Sequence, residues 1–168
     1  MVKSDKVKVV ERVDIENPEN LNMILGMTHF IKSAEDLYEA LVGSVPGIKF
    51  GLAFSEASSD RLIRTEGNDP ALVDLAARNL GRIHSGHSFI IFLKDAYPLN
   101  VLRRIKEVPE VCTIYCATAN PVQVIIAHTP QGGAILGVVD GQGPLGVEND
   151  EQRKARRELV RKFGYKLQ

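Results

Sequence analysis

The chain has 168 residues, of which 44% are apolar and 25% charged, the composition of an ordinary soluble globular protein. Its 21 basic and 21 acidic residues give zero net charge, so no global field draws it to nucleic acid or to an anionic membrane. The length favours one domain over residues 1–168. The charged start, MVKSDK, lacks the apolar core of a secretory signal, which favours a cytoplasmic protein.

The positions of the two cysteines also favour a cytoplasmic location. Cys112 and Cys116 are four residues apart in a strand-like run, so their side chains are expected on one face, about 13 Å apart. That distance is too long for a disulfide. We expect both to be core thiols in a reducing cytoplasm.

The predicted elements alternate strands and helices through the first two thirds of the chain. Strands over 7–15 and 23–30 precede a helix that begins at Ser33, where Asp36 completes a near capping box. A strand over 48–54 then leads into a polar stretch, 55–70, predicted as a loop. The remaining predictions are a helix from Pro70, with Pro at its first position, a strand over 88–96, a helix over 98–109, strands over 112–119, 122–129 and 133–141, and a basic helix over 150–167.

The strands are nearly continuous apolar runs, and helices separate the earlier ones. This pattern is typical of α/β proteins whose sheet is covered on both sides. Three strands in succession near the C-terminus favour antiparallel neighbours as well. The predicted fold is a three-layer α/β/α sandwich with a mixed sheet.

Several stretches resemble familiar ligand-binding motifs, but each lacks a part that the motif requires. GQGPLG at 141–146 lacks the further strand and the acidic residue of a dinucleotide site, which favours a glycine-rich turn over a phosphate-binding loop. GSVPGIKF at 43–50 matches a Walker A loop only in fragments, so a kinase here would not be of the P-loop type. His84 and His87 have no third ligand nearby, so no metal site is predicted. The charge pattern of the basic C-terminal segment predicts a solvated helix face rather than a phosphate-binding site.

Polar side chains accumulate where predicted strands end. The strand over 48–54 leads to Glu56 and Arg64, and the neighbouring carboxylates and amides suit ribose hydroxyls or a base edge while Arg64 suits a phosphate. The competing interpretation is a solvated loop in which Asn68 or Asp69 caps the next helix. Three other strand ends carry His29, Lys94 with Asp95, and Thr118 with Asn120. If these ends meet, they form one cleft.

Five long stretches, in order, resemble the family of adenosine-specific kinases. They are MTHFIKSAEDLYEALV, KFGLAFSEASSDRLIRTEGND, GHSFIIFLKDAYPLNVL, IKEVPEVCTIYCATANPVQVIIA and AILGVVDGQGPLGVE. The resemblance implies a compact three-layer α/β protein that binds adenosine and AMP rather than ATP or ADP. It also implies a histidine that carries a phosphoryl group stably.

The family pattern matches this sequence residue by residue. His29 and His87 occupy its histidine positions, whereas His84 and His128 stand where relatives have other residues and are set aside as surface or helix-end residues. Ser59 stands where glycine is common in the family. The remaining matches are Glu56, Arg64, Glu66, Asn68 and Asn120.

These matches predict a phosphotransferase that acts on adenosine through phosphohistidine. We expect His87, preceded by Gly86 at the start of a strand, to carry the phosphoryl group and His29 to orient the substrate or exchange roles with it. Arg64 and Lys94 would supply positive charge. Substrate binding is expected at Glu56, Glu66, Asn68 and Asn120.

Two alternatives stay open at this point. One is a non-catalytic adenosine or AMP sensor, and the other is an oligomeric interaction domain with vestigial pocket residues. No residue pattern identifies a cofactor, and Mg²⁺ stays open only because phosphoryl chemistry commonly uses it. A protein of this kind is often a homo-oligomer, of which a trimer is one form.

Overall fold

The protein, as a computed structural model that describes residues 9–167, contains eight strands and four helices in that range. In chain order they are β1 (Val9–Asp14), β2 (Asn22–Thr28), α1 (Ser33–Val42), β3 (Lys49–Ser55), β4 (Ile63–Gly67), α2 (Pro70–Ile83), β5 (Ser88–Lys94), α3 (Pro98–Lys106), β6 (Val111–Thr118), β7 (Val122–His128), β8 (Gly133–Asp140) and α4 (Asp150–Lys162). The start of the first predicted strand and the outer limits of the predicted single domain, 1–168, lie outside the described residues.

The strands form two sheets, one of five strands in the order β4-β3-β5-β2-β6 and one of three in the order β1-β7-β8. Every pair of neighbouring strands within residues 9–167 is antiparallel. The α/β sandwich is therefore confirmed, but the mixed sheet is wrong. The helical crossover through α1 does bring β2 and β3 into the same direction. β5, however, runs between them in the opposite direction, so no two strands of equal direction become neighbours.

The five-stranded sheet is the middle of three layers. Helices α1 and α3 cover one face, and α2 together with the three-stranded sheet covers the other. In β5, Phe89, Ile91 and Leu93 point towards α1 and α3, while Ile90 and Phe92 point the other way. Burial on both faces explains why the central strands have continuous apolar sequences.

Local signals placed most elements correctly, with two exceptions. Asp69 caps α2 as one interpretation predicted, because its carboxylate accepts hydrogen bonds from the backbone N–H groups of Ala71 and Leu72. The capping box at Ser33 is wrong, since the Ser33 hydroxyl is buried against that of Thr28. The predicted loop over 55–70 contains β4. This strand lies at the edge of the sheet and is mostly exposed, so it lacks the apolar run that marks the central strands.

The cysteines are both free thiols. Cys116 is buried, and burial raises the pKa of its thiol to about 11. Cys112 is exposed, which corrects the expectation of two core thiols. The pairing of β6 with β2 shifts register between Leu25 and Gly26, so the simple alternation used for that prediction does not hold along β6.

Across residues 9–167, no helix has both the length and the apolar character needed to cross a bilayer.

Candidate functional site

The antiparallel sheet has two ends with different side chains. β2 and β3 finish at the end where β4, β5 and β6 begin, as the pairs Ser55 with Ile63 and Thr28 with Val111 show. We call this the His87 end, because His87 directly precedes β5. The opposite end, where Lys49 pairs with Lys94, is called the Lys94 end.

The predicted site residues divide between these two ends. The His87 end holds His29, Glu56, Arg64 and His87, whereas the Lys94 end holds Asn68, Lys94 and Asn120. Glu66 lies on β4 opposite Leu52, two residues from Arg64 towards the Lys94 end, and is exposed. The expectation of one cleft formed by all these strand ends is therefore wrong. Strands of opposite direction end on opposite sides of a sheet.

His87 is held by its backbone between the ends of two strands. Its N–H donates to the carbonyl of Ser55 at 2.7 Å, and its carbonyl accepts from the N–H of Thr28 at 2.9 Å. Its φ of 61° lies in the left-handed region, which is uncommon for residues with a side chain but is adopted more readily by histidine than by most. The half-buried imidazole lies nearly parallel to the Phe54 ring, with centroids 6.0 Å apart.

Gly86 allows the loop after β3 to approach this position closely. A Cβ added at Gly86 would lie 3.0 Å from the Cβ of Ala57, which is closer than ordinary side-chain contacts. The residue next to Ala57 is Glu56, so the close approach brings the carboxylate-bearing loop against the segment that carries His87.

Glu56 and Arg64 form an ion pair at this end. Arg64 Nη2 donates to Glu56 Oε2 at 2.9 Å, and the backbone N–H of Leu62 donates to the same oxygen at 3.3 Å. Burial acts to raise the pKa of the Glu56 carboxyl, but the hydrogen bonds from Arg64 and Leu62 outweigh it and hold the pKa below its ordinary value. Glu56 is therefore ionised at neutral pH. Arg64 Nε is buried without a hydrogen-bond partner.

Phe54 is a neighbour of both Arg64 and His87. Arg64 is directly opposite Phe54 on β4, so its side chain points to the same side of the sheet. The His87 ring packs against the Phe54 ring. β3 lies between β4 and the segment of His87, and His87 is two residues from the level of Arg64, so more than two strand spacings, about 10 Å, separate their backbones.

An acidic cluster that sequence reasoning missed lies beside His29. The N–H of His29 donates to the carbonyl of Glu110 at 3.1 Å. Glu110 is only 5% exposed, its Oε2 has no hydrogen-bond partner, and its Oε1 is 3.5 Å from Lys32 Nζ. Lys32 also bonds Asp36, and this hydrogen bond lowers the pKa of the Asp36 carboxyl. Nothing in the sequence around Glu110 signals its burial, since it lies in a charged turn between two elements.

The comparisons with known proteins agree with this architecture. A family model described as "Adenosine specific kinase" matches residues 13–166. The chain belongs to the adenosine specific kinase family. It is also similar to the crystal structure of the PH1918 protein from Pyrococcus horikoshii OT3, with 51% sequence identity and a TM-score of 0.91 over 95% of this chain and 99% of that one. No curated protein shows significant similarity.

Membership of the adenosine specific kinase family confirms the resemblance seen in the sequence, and the fold agrees that no P-loop is present in the described residues. The fragments of a Walker A loop at 43–50 connect helix α1 to strand β3, whereas a P-loop leads from a strand into a helix. GQGPLG at 141–146 follows β8 and leads into α4, after which residues 163–167 form no strand.

The Lys94 end contains polar groups that are already paired. The Asn68 amide accepts from the N–H of Phe50 at 3.0 Å and donates to the carbonyl of Ile48 at 2.8 Å. Asn120 donates to Asp140 at 3.0 Å, and Lys94 Nζ lies 3.8 Å from Glu19. The described polar side chains at this end are therefore engaged within the chain, whereas Arg64 Nε and Glu110 Oε2 at the His87 end are buried without a partner.

The two histidines outside the family pattern have structural surroundings. His84 is the residue that closes α2, with φ of 50° and its N–H bonded to the carbonyl of Leu80. His128 Nε2 is 2.8 Å from Glu11 on the three-stranded sheet. Within residues 9–167, no three His, Cys, Asp or Glu side chains are grouped to hold a metal ion.

Proposed function

We propose that this adenosine specific kinase binds adenosine or AMP at the His87 end and transfers a phosphoryl group through His87. One observation carries the proposal: the half-buried His87 imidazole packs against Phe54, and Arg64, directly opposite Phe54 on β4, has a buried Nε without a partner. Buried polar atoms without partners are rare in proteins and call for an explanation. A phosphate oxygen is a suitable acceptor for an arginine N–H.

The proposed chemistry has two displacement steps. A nitrogen of the neutral His87 imidazole attacks the phosphorus of a phosphoanhydride donor, the N–P bond forms, and the bond to the leaving phosphate oxygen breaks. The 5′-hydroxyl oxygen of adenosine then attacks the same phosphorus, the N–P bond breaks, and AMP forms. The hydroxyl proton leaves to water. Arg64 stabilises the negative charge on the phosphoryl oxygens in both steps.

The neighbouring residues have supporting tasks in this proposal. The ionised carboxylate of Glu56 holds Arg64 in place and remains an acceptor for ribose hydroxyls. His29, which directly follows β2 and is exposed, orients the substrate or exchanges roles with His87. Glu66, further along β4 on the side of the sheet to which Arg64 points, is the remaining candidate for the nucleoside. We assign no task at this site to Asn68, Lys94 or Asn120 of the same chain, because they lie at the other end of the sheet.

The proposed setting is a reducing cytoplasm, in keeping with the two free thiols. The proposed functional form is a homo-oligomer. Nucleic acid and membranes are not among the proposed partners.

The direct test is to incubate the protein with adenosine and ATP labelled at the γ-phosphate, and to measure labelled AMP and labelled protein. We expect labelled AMP from the wild type and none from His87→Asn, because asparagine tolerates the left-handed backbone while lacking the nucleophile. Equal AMP from both proteins would exclude the phosphohistidine route. Labelled protein without AMP would indicate a sensor instead. No binding of adenosine or AMP by calorimetry would leave an interaction domain.

A further inference from the structure

Glu110 is a buried carboxyl group that lacks the partners an ionised carboxylate requires. It lies in the turn between α3 and β6, and its side chain is 6% exposed. Its Oε2 is buried and has no hydrogen-bond partner among the described residues. Because a charge that leaves water must be paired and hydrogen-bonded, an unpaired oxygen at this position calls for an explanation.

The nearby ammonium group of Lys32 does not supply the missing partner. Its Nζ lies 3.5 Å from the other oxygen, Oε1 of Glu110, which is beyond the ordinary range of a hydrogen bond. The same ammonium group is closely bonded to Asp36 Oδ2, and the Lys32 side chain is more than half exposed. One ammonium group therefore faces two carboxyl groups, and if both were ionised the cluster would carry a net negative charge.

Asp36 and Glu110 are also bonded to each other. A hydrogen bond from Lys32 is the main cause that lowers the pKa of the Asp36 carboxyl, burial opposes it, and a hydrogen bond with Glu110 lowers this pKa further. An ionised carboxylate has no proton and can only accept. A hydrogen bond between the two groups in which Asp36 is ionised therefore requires a proton on Glu110.

Across residues 9–167, no second cation is bonded to the Glu110 carboxyl. From the loop after β2, His29 contributes its backbone N–H, which donates to the Glu110 carbonyl at 3.1 Å. From β6, the Cys112 thiol donates to the same carbonyl at 3.4 Å. At the end of α3, Arg103 and Glu107 pair with each other. The surrounding elements thus add no positive charge that would keep the Glu110 carboxyl ionised.

We propose that Glu110 and Asp36 share one proton in the folded protein at neutral pH. Glu110 carries the proton and donates it to the Asp36 carboxylate, while Lys32 neutralises the charge of Asp36. The cluster then has no net charge, and the buried carboxyl of Glu110 has a hydrogen bond to make. Where two carboxyl groups lie too close for both to ionise, they hold one proton between them.

The shared proton makes the cluster a pH-sensitive clamp beside His29. Lys32 and Asp36 belong to the start of α1, and Glu110 belongs to the turn before β6 and holds the N–H of His29 through its carbonyl. While the proton is present, these three segments are joined. When the proton leaves, two carboxylates face one ammonium group, and their repulsion weakens the contact between α1 and the turn.

The direction of the pH dependence follows from the number of protons bound. In the unfolded chain, Asp and Glu side chains are ionised above about pH 5, so the folded protein binds one proton more than the unfolded chain at neutral pH. The stabilisation is therefore present at low pH and decreases as the pH rises. It raises the unfolding constant roughly tenfold per pH unit until the folded pair loses its proton.

The direct test is infrared spectroscopy of the full chain at neutral pH without nucleotide, since a protonated carboxyl has a C=O stretching band that carboxylates lack. We expect this band from the wild type and not from Glu110→Gln. Glu107→Gln is the matched control, because Glu107 lies three residues away in the chain and pairs with Arg103, and it should keep the band. No band from the wild type, or a band that remains in Glu110→Gln, would overturn the proposal.

A second variant separates proton sharing from burial alone. Asp36→Asn removes the neighbouring negative charge, so Glu110 should ionise beside Lys32 and the band should disappear at neutral pH. A band of wild-type strength in Asp36→Asn would mean that Glu110 is protonated without sharing, which contradicts the proposal.

Unfolding with urea at several pH values tests the clamp independently. Glu110→Gln keeps an uncharged donor where the proposal places the O–H group, so it should fold, and its stability should lack the pH dependence of the pair. Between about pH 5 and 7, the unfolding constant of the wild type relative to this variant should therefore rise roughly tenfold per pH unit. A ratio that does not change with pH, or a variant that fails to fold, would contradict the proposal. None of these measurements involves phosphotransfer, so their outcome is independent of the proposed function.

Discussion

The two ends of the five-stranded sheet carry similar residue types but differ in how those residues are paired. At the Lys94 end, the Asn68 amide uses both its oxygen and its nitrogen to bind backbone groups, and Asn120 binds Asp140. At the His87 end, Arg64 Nε and Glu110 Oε2 are buried with no partner. Left-handed backbone angles do not distinguish the two ends, since they occur at Ser59 and His87 on one side and at Asn20 and Asp95 on the other.

This difference separates structural from functional polar groups. A polar group whose hydrogen bonds are all made within the protein stabilises the fold and has little left for a ligand. Buried polar atoms without a partner are costly and rare, so each of them calls for an explanation such as a ligand. The following predictions test the comparison from the largest expected effect to the smallest.

Replacing His87 should have the largest effect. His87→Asn preserves a residue that tolerates the left-handed conformation but removes the nucleophile, so we expect complete loss of phosphoryl attachment, measured by intact mass and peptide fragmentation after incubation with a phosphoanhydride donor. His84→Asn is the matched control, since His84 has the same backbone conformation at the end of α2. It should keep full phosphorylation. Phosphate on His84, or undiminished phosphorylation of His87→Asn, would contradict the assignment.

Replacing Arg64 should weaken AMP binding. Arg64→Gln removes a charged donor, and hydrogen bonds to charged groups contribute about 1.5–3 kcal/mol, so affinity for AMP should fall roughly 10- to 100-fold by calorimetry. Adenosine, which lacks the phosphate, should lose less. Lys94→Gln removes one positive charge from the opposite end and should bind AMP as the wild type does. Equal losses in the two variants would mean that the two ends do not differ as proposed.

The same substitution should change the titration of Glu56. With Arg64 present, the pKa of this carboxyl lies below its ordinary value, so the ion pair is formed at neutral pH and is lost only as the pH falls through that lowered pKa. In Arg64→Gln the hydrogen bond and the positive charge are gone while the effect of burial remains, so the pKa should rise. Carboxyl titration by NMR measures both values. An unchanged pKa would show that Arg64 does not hold Glu56 in solution.

Replacing Asn68 should affect stability rather than binding. Asn68→Ala leaves the N–H of Phe50 and the carbonyl of Ile48 without their partner, which costs about 1–3 kcal/mol in the free energy of unfolding, measured with urea. Asn120→Ala, at an exposed position with one side-chain partner, should cost less. If Asn68→Ala instead keeps its stability and loses AMP affinity, Asn68 is a binding residue and its family match reports that role.

Relieving the strain at Ser59 should have the smallest effect. Its φ of 57° is the left-handed conformation that glycine adopts without steric cost. Ser59→Gly should therefore stabilise the protein by about 0.5–1 kcal/mol, seen as an increase of roughly 1–4 °C in Tm. Ser58→Gly, where φ is not positive, should destabilise it. Equal effects of the two substitutions would mean that the loop does not keep this conformation.

Much of the fold was predictable because its signals are local. Asp69 and Pro70 mark the start of α2, and the apolar run of β5 marks a strand buried on both faces. β4 was missed because an exposed edge strand of five residues leaves no such pattern. The sequence also identified His87 and Arg64 as candidate site residues, because both lie in long contiguous motifs. The same motifs indicated the family.

The sequence by itself determined the α/β class, the family, the residues able to do chemistry and all the described elements except β4. Only the tertiary structure decided which of those residues meet. β5 runs between β2 and β3, and this pairing over long sequence separations assigns His29, Glu56, Arg64 and His87 to one end of the sheet and Lys94 and Asn120 to the other. Period and capping act within a few residues of the chain, whereas the order of strands depends on the packing of the whole sheet.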